Sequence, residues 1–282
     1  MIIPCQEDGF FLVPTLKSIF SNVFPVKDFE VLLIRSENEC VSERVNGFPI
    51  EQYVVASKSQ AQALNWGVEA AKGDIICTTK PGCIVSSNWL EAIAVSLRRN
   101  PDVDGVGGPV LPCWECGTKI QKLASQIFYE EQGFSNSATI TMPGHYQTYL
   151  HSTNSAFRKD ALKSLEFDVC FTYDYDFDLC WKMLQNNKRL MYNPEMKVQC
   201  VFPSSLRNLL RRYYVWGREK AILRKKYSSR SELKSYFYTP YNAVRSFLQP
   251  SLRGPTKKLL RLAQHAAYNL GNISGYGYTS EA

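Results

Sequence analysis

The fold of this chain is decided by residues 73–90, which read GDIICTTKPGCIVSSNWL. The short apolar run within Asp74–Thr79 predicts a buried strand, because parallel strands covered on both faces are nearly continuous in apolar residues. Lys80-Pro81-Gly82 predicts a turn, and Asn88–Arg98 predicts a helix beyond it. Ligands of α/β sheets bind where such strands end. We therefore expect a functional site at the turn.

Strand-like and helix-like segments alternate along most of the chain. Strands are predicted at Met1–Pro4, Phe29–Ile34, Asp74–Thr79, Val103–Val110 and Arg189–Tyr192. Helices are predicted at Phe10–Phe20, Ser59–Ala71, Asn88–Arg98, Ile120–Gln132, Arg158–Leu165, Asp176–Asn187, Ser204–Tyr227 and Thr256–Leu270. A long polar loop is expected at Gly133–His145. The alternation indicates an α/β fold with a mainly parallel central sheet flanked by helices.

The composition is that of a globular protein. Hydrophobic residues make up 45% of the chain, yet no apolar run reaches the roughly 18–20 residues that a bilayer span needs. The first residues, Met1–Pro4, lack the basic and apolar pattern of an export signal. The cysteines number nine, and an odd, scattered set favours a reducing compartment. We therefore expect a cytoplasmic protein.

Positive charge is concentrated in the C-terminal part of the chain. The net charge is +7, and the segment from Ser205 to His265 holds 15 Lys and Arg against 2 acids. Such a segment indicates an anionic partner, either lipid headgroups or nucleic acid, unless its charges are simply solvated helix faces. No nucleic-acid recognition motif accompanies the charge, so a nucleic-acid partner is not expected.

Cys113 and Cys116 have the C-x-x-C spacing of a zinc knuckle or a redox pair. A zinc site needs a second pair of ligands at similar spacing, and the sequence shows none. We favour two incidental cysteines in a loop and predict no metal site there.

Several segments, in order, resemble the family 2 glycosyltransferases, which have the GT-A nucleotide-sugar fold. The matching segments are Ile2–Glu7, Ala63–Gly67, Ala70–Asp74, Trp89-Leu90, Gly107–Pro109, Thr153–Arg158 and Asp176–Lys182. The resemblance covers about residues 1–228. It implies a GT-A-like domain at 1–228 and a basic, aromatic C-terminal extension at 229–282.

The resemblance implies transfer of a sugar from a nucleotide-diphosphate donor to an acceptor hydroxyl, with inversion at the anomeric carbon. The acceptor would be a glycan or a lipid-linked molecule. Such a reaction needs a general base and a cationic group facing the departing diphosphate. Asp176 matches the family's base, although Tyr175 replaces the Glu that precedes it. A simple helix-terminus role for Asp176 is the alternative, and Asp174 is a weaker candidate for the base.

The remaining site residues are also carried over from the matching motifs. The residues expected to bind the donor are Pro4, Glu7, Arg35, Asn65, Lys80 and Gly82. The residues expected to bind the acceptor or the diphosphate are Asn154, Asp178, Arg212 and Trp216.

The departures from the family pattern fall on the donor site. The family's metal-binding D-x-D aligns with Lys80-Pro81-Gly82, an Asp after the second strand aligns with Arg35 or Ser36, and a His of the metal shell aligns with Cys200. Divalent Mg or Mn is implied by the resemblance, but its ligands are missing, so no cofactor is expected. Either Lys80 neutralises the diphosphate with help from Arg35, or the site is lost and the fold serves as a binding or scaffolding module.

The basic helix Arg207–Lys226 has two interpretations, which are compatible. Arg212 and Trp216 loosely resemble a family segment that lines the mouth of the active site. The same helix, with its arginines and aromatic residues, is also typical of a segment that lies on anionic lipid. We expect peripheral contact with the inner face of the membrane.

Overall fold

The computed structural model describes residues 1–5, 11–37, 41, 43–57, 59–113, 118–132, 136–141, 149–200, 205–227 and 255–276. The chain divides into two compact units. The first comprises Met1–Cys113, Tyr129–Cys170 and Tyr175–Val201, and the second comprises Trp114–Phe128, Phe171–Asp174 and Phe202–Ala282. The boundary predicted after residue 228 falls within the second unit.

The first unit is built on two sheets. The strands are β1 (Ile2–Cys5), β2 (Leu32–Arg35), β3 (Glu51–Val54), β4 (Ile75–Thr78), β5 (Cys83–Val85), β6 (Gly105–Gly107), β7 (Val110–Pro112), β8 (Thr139–Thr141), β9 (Ser155–Arg158), β10 (Leu190–Tyr192) and β11 (Val198–Cys200). Eight form a sheet in the order β3-β2-β1-β4-β9-β6-β10-β8, and three form a sheet in the order β5-β11-β7. Strands β3, β2, β1 and β4 are parallel, as are β6 and β10, whereas β9 and β8 are antiparallel to their neighbours.

The helices follow the predicted pattern. They are α1 (Leu12–Phe20), α2 (Gln60–Ala70), α3 (Trp89–Arg99), α4 (Lys119–Gln132), α5 (Lys159–Lys163), α6 (Tyr175–Gln185), α7 (Leu206–Lys226) and α8 (Pro255–Tyr276). Short 3₁₀ helices lie at Val26–Asp28 and Glu43–Gly47. The mixed α/β class with a mostly parallel sheet flanked by helices is confirmed. None of the helices in these residue ranges is both long and apolar enough to cross a bilayer.

Side-chain caps mark where α2, α4 and α7 begin. Ser59 accepts a hydrogen bond from the Gln62 N–H (3.1 Å), and Ser205 accepts one from Asn208 (3.2 Å). Thr118 and Gln121 form a reciprocal capping box before α4. Each cap satisfies a backbone donor that lacks a partner within the helix.

Close packing of α2 on the sheet orders the region around β1. The side chains of β1 and β2 are almost all buried. A Cβ atom on Gly67 would lie 2.6 Å from the Ile2 side chain, so only glycine lets α2 approach β1 this closely.

The sheet reverses its direction of growth between β1 and β4. The chain runs from β1 to β2 and β3 on one side and then returns to place β4 on the other side of β1. The two strands are paired only through Ile2 and Thr78, so the end of β4 lies beside the start of β1. Ligands bind in the crevice at such a switch point. The predicted site at the end of β4 therefore lies where this topology favours one.

Several short strands differ from the prediction. The single strand predicted at Val103–Val110 is wrong, because Gly108 and Pro109 separate β6 from β7 and the two strands join different sheets. A Cβ atom on Gly108 would overlap the Met196 carbonyl oxygen, and Pro109 has no N–H for a ladder. Strands β3, β5, β9 and β11 were not predicted.

The structure also differs from the predicted loop and from the helix predicted after it. β8 lies inside the loop predicted at Gly133–His145, and residues 133–135 and 142–148 lie outside the described residues. The helix predicted at Arg158–Leu165 is short, because Arg158 is the last residue of β9.

Candidate active site

The turn after β4 has the geometry of a type II β-turn. The Cys83 N–H donates to the Lys80 carbonyl oxygen (3.1 Å), and Gly82 has a φ of 83°. This turn prefers Pro at its second position and Gly at its third, which are Pro81 and Gly82. The Gly82 N–H also donates to Thr15 Oγ1 (3.0 Å), which ties the turn to α1. The sequence thus fixes the backbone that presents Lys80.

Lys80 lies over the ring of Tyr175. Its Nζ atom is 5.3 Å from the ring centroid, within the range of a cation–π interaction. The buried Tyr175 hydroxyl donates to Gln60 Oε1 (2.9 Å) and lies 3.0 Å from Ser152 Oγ. Lys80 and Tyr175 both occupy positions at which the family resemblance predicts acids. The two residues that depart from the family pattern are therefore in contact with each other.

Asp176 follows Tyr175 in the first turn of α6, as predicted. Its side chain is 7% exposed. One carboxylate oxygen accepts a hydrogen bond from the Ser152 N–H (2.9 Å) and the other from the Phe177 N–H (2.8 Å). Each oxygen can accept about two hydrogen bonds, so these contacts leave capacity for a further donor such as an acceptor hydroxyl.

The loop that carries Ser152 is fixed by Asn154 from the protein interior. The Asn154 amide accepts from Trp89 Nε1 (2.8 Å) and donates to the carbonyl oxygens of Pro109 (2.9 Å) and Met196 (2.6 Å). Both of its N–H donors are therefore used within the protein. Asn154 positions the loop that holds Asp176, and its predicted contact with the acceptor stays a prediction.

The other donor-side residues are spread over β1, β2 and α2. Pro4 is buried in β1 opposite Ile34, and the half-buried Arg35 ends β2 opposite Cys5. Glu7 lies outside the described residues. The carboxyl ends of β1 and β2 thus place Pro4 and Arg35 at the same edge of the sheet as the turn after β4, as the donor hypothesis requires.

Asn65 has a different environment. Its amide donates to the Phe167 carbonyl oxygen and accepts from the Phe167 N–H, both at 2.8 Å. It lines a cavity of about 250 Å³ between α2 and the segment after α5. Asn65 joins these two segments through both hydrogen bonds. Its predicted contact with the sugar donor stays a prediction.

Asp178 is fully buried one helical turn from Lys182. The Asp178 carboxylate lies 3.0 Å from Lys182 Nζ, which also donates to the Glu166 carbonyl oxygen. This i,i+4 ion pair stabilises α6, and the predicted role of Asp178 toward the acceptor stays a prediction.

The donor-side positions that the resemblance assigns to a divalent ion do not fit one. Lys80 replaces the first carboxylate, and Cys200 lies opposite Cys83 in the second sheet. A hydrogen bond with Cys200 lowers the pKa of the Cys83 thiol below its ordinary value, and the charge of Lys80 acts in the same direction. Mg²⁺ and Mn²⁺ prefer oxygen ligands, and the described residues contain no group of three metal-ligating side chains.

The predicted cysteine pair is only partly described. Cys113 is buried and forms no disulfide, and Cys116 lies outside the described residues. The cysteines of the described ranges are all free of disulfides.

In the second unit, the two predicted residues of α7 form an aromatic cluster. The Arg212 guanidinium lies 5.4 Å from the ring centroid of Tyr173 and 5.2 Å from that of Trp216. Trp216 meets Tyr213 edge to face, with centroids 5.5 Å apart. Arg212 and Trp216 are therefore brought together, as their spacing on one helix predicts.

Glu219 is a buried acid of the second unit that the motifs did not reveal. Its fully buried carboxylate accepts hydrogen bonds from the backbone N–H groups of Thr172, Tyr173 and Asp174 (2.6, 2.9 and 2.9 Å). Lys220 forms an ion pair with Asp174 at 3.0 Å. These contacts fix the residues that immediately precede Tyr175 and Asp176 in the chain. A single acid within the otherwise basic α7 was the available sequence signal.

The family of the chain follows from its sequence. Residues 1–218 match the family described as "Glycosyltransferase like family 2". The chain belongs to this family and is a glycosyltransferase. Its resemblance to family 2 glycosyltransferases, predicted from ordered short motifs, is confirmed.

A characterised relative and two solved structures are similar to the chain. The chain is 20% identical over 247 residues to the dolichyl N-acetyl-alpha-D-glucosaminyl phosphate 3-beta-D-2,3-diacetamido-2,3-dideoxy-beta-D-glucuronosyltransferase of Methanococcus voltae, covering 80% of this chain and 74% of the relative. The mannosyltransferase PcManGT of Pyrobaculum calidifontis, solved with GDP-Man and Mn²⁺, has a TM-score of 0.65 at 14% identity, over 99% of this chain and 87% of that one. TarS residues 1–349 of S. aureus, solved with UDP-GlcNAc, has a TM-score of 0.59 at 12% identity, over 97% and 90%. The GT-A fold is confirmed.

Proposed function

We propose that this glycosyltransferase moves a sugar from a nucleoside diphosphate to an acceptor hydroxyl with inversion, and that Asp176 is its general base. One observation carries the proposal. Contacts within the first unit run from Lys80 to Tyr175, from Tyr175 to Ser152, and from Ser152 to Asp176. They link a cation at the switch point of the sheet to a carboxylate that two N–H groups hold in one orientation.

The reaction follows from the roles of these two charges. Asp176 takes the proton of the acceptor hydroxyl, and the resulting oxygen attacks the anomeric carbon on the face opposite the diphosphate. The bond from the anomeric carbon to the phosphate oxygen breaks, and the diphosphate leaves with the electron pair. A positioned cation stabilises the charge that develops on this leaving group. Lys80 is the residue that supplies it.

We further propose that no divalent metal takes part. The positions that would hold one carry the ammonium of Lys80, the glycine Gly82 and the thiol of Cys200, which do not suit Mg²⁺ or Mn²⁺. A lysine ammonium binds phosphate as a point charge, and the Tyr175 ring keeps Lys80 at the end of β4. Arg35, at the end of β2, is the second cation on that edge of the sheet.

The acceptor is proposed to be a lipid-linked molecule at the inner face of the membrane. The Methanococcus voltae relative is named for an acceptor with a dolichyl phosphate. The excess of Lys and Arg after Ser205 favours peripheral contact with anionic lipid. This proposal accounts for the basic charge without a nucleic-acid partner.

The test is sugar transfer or donor hydrolysis with a panel of UDP and GDP sugars, measured in EDTA and in added Mn²⁺. We expect equal rates in the two conditions, loss of activity in Asp176→Asn, and a large loss in Lys80→Met with partial retention in Lys80→Arg. Activity that requires Mn²⁺ would contradict the metal-free reaction and leave Asp176 as base. Nucleotide binding without any turnover would contradict the catalytic proposal itself.

A further inference from the structure

The polarity of α8 is reversed relative to an ordinary surface helix. Its buried face carries mainly polar side chains, namely Lys257, Arg261, Gln264, His265 and Tyr268, with Leu260 as the buried aliphatic residue. Its exposed face carries aliphatic side chains, namely Leu259, Leu262, Leu270 and Ile273. A helix at the surface of a globular protein normally places its apolar stripe against the core. The reversal leaves the aliphatic face exposed, which indicates that a further apolar surface covers this face.

The polar face is buried because α8 packs against α7 through backbone contact. A Cβ atom on Gly271 would overlap the Tyr214 carbonyl oxygen, and one on Gly217 would overlap the carbonyl oxygen of Tyr268. Gly275 makes the same kind of approach to Arg218, with a Cβ distance of 2.6 Å to its carbonyl oxygen. Small residues at four-residue spacing allow helices to pack this closely. The packing fixes which face of α8 is left outward.

The outward face forms a narrow and strongly exposed stripe. The exposed fractions are 69% for Leu259, 48% for Leu262, 62% for Leu270 and 71% for Ile273. At the pitch of an α-helix these four residues and Ala266 lie within an arc of about 80°. Aliphatic side chains left in water lose the free energy that burial would provide, so a stripe of four on one helix indicates a binding surface.

Charge identifies the partner. Helices α7 and α8 carry eleven Lys and Arg, of which all but the buried Lys257 and Arg261 are exposed or half-buried. They carry one acid, Glu219, whose carboxylate is already bonded to backbone N–H groups of its own unit. Two copies of such a surface would repel each other. An anionic bilayer would attract it, and its acyl boundary would receive the stripe, as with interfacial amphipathic helices.

We propose that α8 is a bilayer-docking helix, which lies in the interface of an anionic membrane with Leu259, Leu262, Leu270 and Ile273 inserted among the lipid chains. This inference rests on the membrane contact proposed above. It adds that α8 makes the contact and that it does so by inserting aliphatic side chains. Basic side chains such as the exposed Lys258 then lie at headgroup depth beside the stripe.

The experiment is sedimentation of the full chain with phosphatidylcholine vesicles, with and without phosphatidylglycerol, in the absence of nucleotide sugar. The test variant carries Leu259→Gln, Leu262→Gln, Leu270→Gln and Ile273→Gln. Full burial of one such side chain is worth roughly tenfold in partitioning, so we expect at least about a 100-fold weaker binding to the anionic vesicles. Raising salt from about 0.1 M to about 1 M should also weaken wild-type binding.

Two matched variants isolate the apolar contribution. The same four residues changed to Met keep an apolar stripe and should keep binding. Val23→Gln with Val169→Gln removes two comparably exposed aliphatic side chains from the first unit and should leave binding unchanged. Far-ultraviolet circular dichroism checks that each variant is folded.

The outcomes separate this inference from the broader proposal. A folded Gln variant that binds anionic vesicles as tightly as wild type would overturn the role of α8 and leave membrane contact through α7 standing. A wild-type chain that binds neither vesicle would overturn both. An oligomer in solution that the Gln substitutions dissociate would assign the stripe to a second copy and overturn the lipid assignment. Sugar transfer to a soluble acceptor should be unchanged in the Gln variant.

Discussion

The end of β4 and the outer face of α8 are two different kinds of candidate functional site. At the end of β4 polar groups are individually paired: Lys80 with Tyr175, and Asp176 with two backbone N–H groups. On α8 the informative feature is a surface of aliphatic side chains with no specific geometry. A site that performs chemistry needs fixed atoms, whereas a site that docks on lipid needs area and charge. The two therefore leave different signals in the sequence.

The largest expected effect is on kcat, and it distinguishes Asp176 from Asp178 in α6. Asp176→Asn should lower kcat by roughly 10²–10⁴, because general base catalysis contributes about that much. It should also cost about 1–3 kcal/mol of unfolding free energy, because the amide nitrogen of Asn cannot accept the N–H bond that the second carboxylate oxygen accepts. Initial rates and urea unfolding measure the two quantities.

Asp178→Asn is the matched control. It breaks the buried ion pair with Lys182, so we expect a loss of about 1–3 kcal/mol in the free energy of unfolding and less than a tenfold change in kcat. If Asp178→Asn abolished turnover while Asp176→Asn only destabilised the protein, the assignment of the base would have to be exchanged.

The second effect concerns the packing that orients α8. Gly271→Ala should destabilise the α7–α8 pair by about 1–3 kcal/mol, because its Cβ atom overlaps the Tyr214 backbone. Alanine is the better helix former by about 1 kcal/mol. A net loss of stability in Gly271→Ala would therefore come from the overlap with α7 and not from helix propensity. Amide hydrogen exchange in α7 and α8 measures it.

A control on the outer face of the same helix uses a larger residue. Ala266→Met adds more volume at an exposed position and should change the free energy by less than about 0.5 kcal/mol. Equal exchange rates in the Gly271→Ala variant and wild type would show that the helices do not pack through Gly271, and the reversed polarity of α8 would lose its explanation.

The sequence predicted the long elements of the fold, and the place of the site stays a prediction. Most helices were found within a few residues because they span several turns of an apolar period, whereas α5, at Lys159–Lys163, has only five residues. Strand β9 was missed because only four residues, Ser155–Arg158, pair with β4, which lies far away in the sequence. Short strands in a sheet centre are specified by such distant partners, and one sequence does not display them.

The candidate site was predictable in part for a related reason. Asp176 and Lys80 could be located because their motifs are local, but the contact between Lys80 and Tyr175 joins positions that are distant in the sequence. The stripe of α8 was missed because periodicity shows that a helix is amphipathic and does not show which face is buried. That choice was made by the glycines of the α7–α8 contact, Gly271 and Gly275 on α8 and Gly217 on α7.

The third effect tests how the turn presents Lys80. Gly82 has a φ of 83°, and a side chain there costs roughly 1–2 kcal/mol. Gly82→Ala should lower the unfolding free energy of the first unit by that amount, and Gly82→Asn should lower it less, because Asn tolerates this conformation.

Gly73→Ala, seven residues before the Lys80 turn, is the corresponding control. A Cβ atom there makes only ordinary contacts, at 3.8 Å or more, and Gly73 does not have a positive φ. The substitution should be neutral or stabilising by a few tenths of a kcal/mol. A neutral Gly82→Ala in the same urea series would show that the type II turn does not fix Lys80.

The smallest effect is the pH response of the buried polar face of α8. Burial lowers the pKa of His265 from 6.5 to about 4, with Arg261 its hydrogen-bonded neighbour. Below pH 6.5 the unfolded chain binds a proton that the folded chain does not, so this contribution to stability is complete above about pH 6.5 and declines toward pH 4. The slope is at most about 1.4 kcal/mol per pH unit. Hydrogen exchange in α8 across this range should show it, and His265→Gln should remove it. A folded protein whose His265 titrates near 6.5 by NMR would mean that this face is open to water, and the two faces of α8 could then no longer be distinguished by burial.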